Sequence, residues 1–327
     1  MLAAFLIFAG CGGGGFRAAP AGLTEVAAAP QHPGHGASWM AQGLAQRDLL
    51  YVSNANGTVN VYRYWQHTPV GVLTEFDYPR GECSDQIGNV YITDYSASHY
   101  KGAVSEFAHG GKKPVHVIDD SNQPTGCSVD PKTGNLAVAD YGYHYYADAG
   151  DIAIYRGGRG KPTLLKTSRG DHFTRLAYDD RGDLLATGIS GYASNYSEFY
   201  YLPRHGSQLI AIDLPGESSG WYYVQGIGWD GKYWVVVYGG SLLRYKISLK
   251  AEQVDTIELS APSYARPGTV AFYRKTKGLA TQVVAAVNPS RGSSAVEYWK
   301  YPAGGSPIDQ ITQDLYKPSG VAISLHP

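Results

Sequence analysis

The sequence predicts an all-β chain built from repeated four-stranded units, and three observations carry that prediction. First, a phrase returns along the chain: PRGECSDQIGNVYITDY from Pro79 comes back as PTGCSVDPKTGNLAVADY from Pro124. Gly88-Asn89 recurs as Gly134-Asn135, and Asp94-Tyr95 as Asp140-Tyr141, after about 46 residues. Second, the 327 residues include 41 Gly, which fits many short strands separated by tight turns. Third, the two ends of the chain complete one another. LLYVSN, TVNVYRYW and VGVLTEF (from Leu49, Thr58 and Val70) are three strands lacking an innermost partner. Lys317-Pro318-Ser319-Gly320 followed by VAISL is a lone first strand. A period of about 40–50 residues made of short strands marks a propeller.

The elements follow in order. Met1–Gly10 is an apolar run too short to span a bilayer, and it ends at Cys11 before four glycines. Residues 12–47, rich in Ala, Gly, Pro and His, offer few side chains for a core and read as a flexible tether. Residues 48–327 hold the blades. Blade two covers 79–120, blade three 124–168, and blade four runs from about Phe173 to Leu214. Blade five starts near Trp221 and turns at Asp230-Gly231, a strong hairpin signal. Blade six starts at Pro267. The two leftover pieces make one more blade by pairing the C-terminal strand with the N-terminal strands. The result is a six-bladed β-propeller whose closure removes the open edges of an array. Trp65, Trp221, Trp229, Trp234 and Trp299 are expected to pack between blades.

The formal net charge of −1 excludes a dominantly electrostatic partner such as nucleic acid or an anionic membrane surface. The 27 Tyr against 8 Phe point instead to strands and to wet, amphipathic contact surfaces. Cys83 and Cys127 lie about one repeat apart on neighbouring inner strands. A disulfide and two buried thiols both remain open, because the cysteines are offset by one residue between the repeats.

The Pro-x-Gly, Asp-x-x-Gly-Asn and strand-Asp phrases resemble those of NHL-repeat and related six-bladed propellers, including the streptogramin-lyase-like and gluconolactonase-like groups. Blades four to six depart from the strand-Asp phrase, with Ile189-Ser190, Tyr238-Gly239 and Val287-Asn288 in its place. The FAGC run ending at Cys11 resembles the lipobox of bacterial lipoproteins. That resemblance implies a lipidated Cys11, attachment to the membrane through lipid only, and a place at the outer membrane, cell surface or periplasm.

Loops between second and third strands are the expected ligand rim, since binding residues gather on loops held by rigid scaffolds. In three successive blades these loops are long and aromatic. Blade two supplies Tyr95, His99 and Tyr100. Blade three supplies Tyr141, Tyr143, His144, Tyr145 and Tyr146, and blade four Tyr192, Tyr196, Tyr200 and Tyr201. Flat rings bearing hydroxyls suit a protein, peptide or glycan ligand. Asp94 and Asp140 each close a second strand. They read either as channel-facing carboxylates or as acceptors that pin loop backbone. No HExxH, Gly-x-Ser-x-Gly or phosphate-loop motif occurs, so a binding protein without catalysis or cofactor is the first reading. The alternative, implied by the family resemblance, is a metal-dependent lyase or lactone hydrolase using Asp94, His99, Asp140 and His144.

Overall fold

The computed structural model describes residues 36–96, 101–142, 149–169, 171–189, 196–216, 224–260, 267–276, 278–287 and 294–326. Six antiparallel sheets make up the fold. Blade one comprises β1 (Trp39–Met40), β2 (Leu49–Asn54), β3 (Thr58–Arg63) and β4 (Pro69–Leu73), with the last strand, β25 (Pro318–Ser324), inside β2. Blade two is β5 (Pro79–Ser84), β6 (Val90–Ser96), β7 (Lys101–Phe107) and β8 (Pro114–Asp120). Blade three is β9 (Pro124–Val129), β10 (Leu136–Asp140), β11 (Asp151–Tyr155) and β12 (Thr163–Leu165). Blade four is β13 (His172–Tyr178), β14 (Leu184–Ile189), β15 (Ser197–Leu202) and β16 (Ile210–Ile212). Blade five is β17 (Gly226–Trp229), β18 (Trp234–Tyr238), β19 (Ser241–Ile247) and β20 (Ala251–Glu258). Blade six is β21 (Pro267–Tyr273), β22 (Gln282–Val287), β23 (Ala295–Lys300) and β24 (Asp309–Ile311).

The inner strands β25, β5, β9, β13, β17 and β21 touch in that order and return to β25, which closes a ring. The seam lies in blade one. There Leu49 pairs with Ser324 and Val52 with Val321, so the end of the chain supplies the strand its beginning lacks. One boundary differs from the expectation. Residues 39–44 are not tether: β1 pairs with β4, and Leu44 is buried against Leu49. The short strand covers the open outer edge of β4, which would otherwise offer unpaired backbone groups.

Middle strands are sandwiched between neighbouring blades and buried on both faces. That is why WVVVY (Trp234–Tyr238) reads as an unbroken apolar run rather than an alternation. Six separate clusters of buried side chains fill the spaces between blades. Trp234 and Trp299 lie in them as expected, but Trp65 does not. It is 50% exposed and caps the edge of Tyr64 and Tyr273.

Tyrosine is largely an interblade residue here. Its ring fills the gap while its hydroxyl reaches a polar group of the next blade. Tyr155 donates to Asp120 (2.8 Å), Tyr273 to Asp48 (2.8 Å) and Tyr301 to Asp230 (2.5 Å). Tyr200 likewise donates to Asp171. Tyr200 and Tyr201 therefore belong to β15 and are buried, not displayed on a loop.

The repeated phrases have local causes. Asp85, Asp130, Asp179 and Asp230 each end a first strand and accept backbone N–H groups two to four residues ahead, which pins the following turn. The Gly of Pro-x-Gly lets inner strands converge. A Cβ at Gly81 would stand 2.6 Å from Gly126 Cα, and one at Gly320 2.4 Å from Arg80 O.

Cys83 and Cys127 are joined by a disulfide between blades two and three. The one-residue offset is what permits it. Equivalent residues on successive inner strands point the same way around the ring, whereas residues one step out of phase point at each other. Cys127 occupies the position of Glu82, which faces back toward blade one, while Cys83 faces forward.

Candidate functional site

The channel has two different ends. Turns between first and second strands form one rim, here the turn face. Loops between second and third strands, with the links from blade to blade, form the other, the loop face.

Toward the turn face the inner strands enclose a cavity of about 900 Å³ whose wall includes Tyr178, Trp229 and Phe272. Its collar is charged but largely self-satisfied. Asp85 and Asp130 are committed to their turns. Arg274 of blade six grips Asp180 of blade four through two parallel bonds (3.0 and 2.6 Å), with Trp229 of blade five also lining this mouth. The Arg274 guanidinium holds the Asp180 carboxyl below its usual range despite burial, which opposes it. Sequence reasoning missed this bridge because its partners lie about two repeats apart.

Deeper in, Glu82 turns from the channel wall toward blade one and accepts a hydrogen bond from Ser53, while its Oε2 is buried without a donor. Burial pushes this carboxyl up to about 8; the Ser53 bonds oppose the shift only in part. The fold therefore keeps a proton that the unfolded chain releases near pH 4.5. Stability linked to Glu82 is full below that value and is lost as pH rises toward 8. Glu82→Gln should flatten the decline between pH 5 and 8. It should stabilise the protein at pH 8 by on the order of 3 kcal/mol, measured by urea unfolding across that range.

On the loop face, the loops after β6, β10 and β14 leave the same end of three consecutive blades. Of the expected ligand residues, His99, Tyr100, Tyr143, His144, Tyr145 and Tyr192 lie outside the described residues, as does Cys11. Tyr95 is described and buried at 9% exposure, so it is not displayed at the surface. Tyr141 is half-buried and stacks on His172, with ring centres 4.6 Å apart. The His172 ring bonds to the Tyr141 carbonyl, which holds the start of the blade-three loop against blade four. Tyr196 is 42% exposed.

The two strand-ending aspartates part company. Asp94 accepts the N–H groups of Asp77 (3.1 Å) and Tyr78 (2.6 Å), so it pins the link between blades one and two. Asp140 is fully buried, and no donor among the described residues reaches either oxygen. It lies opposite Asp151 in the ladder. Burial first, then the Asp120 and Asp151 carboxylates, push its pKa well above the usual range, so it is a neutral acid inside blade three. Neither residue offers a free carboxylate to the channel. Among the described residues, no three His, Cys, Asp or Glu side chains gather closely enough to hold a metal ion.

No family model matches the sequence, and no curated protein matches it. Solved structures do resemble it. A protein of unknown function from Bacteroides caccae has a TM-score of 0.59 at 12% identity, over 85% of this chain and 99% of that one. Kuenenia stuttgartiensis hydrazine synthase gives 0.58 at 14%, over 84% and 86%. The β-propeller domain of Myceliophteria thermophila Cps50 (Swd1) gives 0.55 at 11%, over 89% of each chain. At such identities the likeness establishes the propeller fold and leaves function to the site.

Proposed function

We propose that this chain is a non-enzymatic binding propeller, held outside the cytoplasm by lipid on Cys11, whose loop face takes a protein, peptide or glycan. One observation carries the reading. The strands β6, β10 and β14, which lead into the three aromatic loops, end on the same side of three adjacent blades. Of the expected rim residues, Tyr141 is half-buried and Tyr196 is 42% exposed. The disulfide supports the compartment, since such bonds persist where thiols are not kept reduced. The lyase or lactonase alternative is weakened: Asp94 is spent on backbone and Asp140 is buried and neutral.

Peptide and glycan arrays probed with the purified protein test this directly. Ligands retained by the parent are expected to bind about tenfold or more weakly to a Tyr141→Ala/Tyr145→Ala/Tyr196→Ala variant, with the melting temperature within about 2 °C. Undiminished retention would reject the aromatic rim.

A further inference from the structure

We propose that the turn-face end of the channel is a second binding site, a pocket for a small planar aromatic acid. It lies at the opposite end of the ring from the aromatic loops and does not depend on the loop-face reading.

The cavity of about 900 Å³ is walled unequally. The last residue of each first strand stands opposite the first residue of the second strand, which fixes a common level in the ring. At that level blades two and three place Ser84 and Val129, while blades four and five place Tyr178 and Trp229. Blade six adds Phe272 to the same cavity wall. The order of inner strands sets blade two across from blade five and blade three across from blade six. Aromatic rings therefore face short side chains across the channel, and the space between them is the cavity. Such a volume, mostly apolar with a few polar groups at its mouth, suits a small organic ligand.

Two of the rings are held in place from behind. Trp229 packs edge-to-face on Trp234, with ring centres 5.3 Å apart, and Phe272 on Tyr301 at 5.2 Å. Gly228 leaves room for Phe272: a Cβ there would stand 2.5 Å from the ring. All three rings remain only partly buried, so they keep surface to offer. Rings fixed in this way stack on a planar guest at little entropic cost.

The charge at the mouth selects an acid. Its carboxylates already have donors. Asp85 accepts from Ile87 and Asn89, Asp130 from Lys132 N and Thr133, and Asp180 from Arg274. The lysines have donors to spare. Lys132 and Lys275 both line the cavity and are exposed. An ammonium carries three N–H donors, and Lys275 meets Asp48 only at 3.5 Å. A guest lying between the rings and Val129 would thus present its acid group to Lys132 and Lys275, in charge-assisted hydrogen bonds.

The test is calorimetric titration of the full-length protein with naphthoate, using naphthyl methanol as the uncharged control and cyclohexane carboxylate as the non-aromatic one. Saturable naphthoate binding is expected, about tenfold or more tighter than either control. Val129→Trp fills the cavity from its short-chain side and should abolish that binding. Lys132→Gln/Lys275→Gln changes only exposed side chains. It should weaken naphthoate about tenfold, leave naphthyl methanol unchanged and keep the melting temperature within about 2 °C. If Val129→Trp does not fold, the lysine variant decides alone. No saturable naphthoate binding, or binding unchanged in the lysine variant, would overturn the proposal. The Tyr141→Ala/Tyr145→Ala/Tyr196→Ala variant should bind naphthoate as the parent does, so the two sites succeed or fail separately.

Discussion

A chain ending at Lys317 is expected to lose the whole propeller rather than one strand of it. Removing β25 exposes the inner edge of β2, which carries buried Leu49 to Asn54, and deletes buried Val321 and Ile323 from the core shared by blades one and six. Each of those two side chains contributes about 1.5–3 kcal/mol of burial. The six-residue ladder with β2 goes as well, together with bonds from Ser319 to the Pro79 carbonyl and from Ser84 to the Ile323 carbonyl. The total approaches the entire stability of an ordinary domain, about 5–15 kcal/mol. Circular dichroism and analytical gel filtration should show an unfolded or aggregated product. A circular permutant that joins β25 directly to β2, with new ends in the link between β20 and β21, should stay folded. A native truncated chain would mean that the ring does not depend on its seam.

Removal of the disulfide should give the second largest change. The bond closes a loop of 44 residues, for which chain entropy predicts a contribution of about 4 kcal/mol. For a domain of this size that corresponds to roughly 5–7 °C. A Cys83→Ala/Cys127→Ala variant and the parent in reducing agent should both show the drop, and reducing agent should not lower the variant further. A melting temperature indifferent to both treatments would show that blades two and three are held by packing alone, through Tyr91, Val138 and Tyr155.

The blade count was legible because its signals have local causes. Asp85 and Asp130 must pin tight turns, and Gly81 must admit a neighbouring backbone, so the phrases repeat wherever those needs repeat. The strand β1 was not legible. Two residues in an Ala- and Gly-rich context show no periodicity, and only the bare edge of β4 makes them a strand. The spacing of Cys83 and Cys127 does not decide between a disulfide and two thiols, because strand phase around the ring determines which side chains face each other. Tyr200 and Tyr201 read as loop residues in the sequence because a strand tyrosine and a loop tyrosine look alike until the ladder is known. Asp140 matches Asp94 in sequence, yet Asp94 accepts backbone N–H groups and Asp140 is entombed, a difference that appears only once the blades are packed.

The phenols wedged between blades also give the molecule an optical gauge of its own integrity. Tyr51 is pushed up to about 12 by burial, and burial raises Tyr155 and Tyr301 further, with Asp120 and Asp230 beside them adding to the effect. Such rings cannot ionise in place at moderately alkaline pH. Their ultraviolet phenolate band would emerge only as the architecture comes apart, so a simple spectrophotometric base titration would report collapse without any added label.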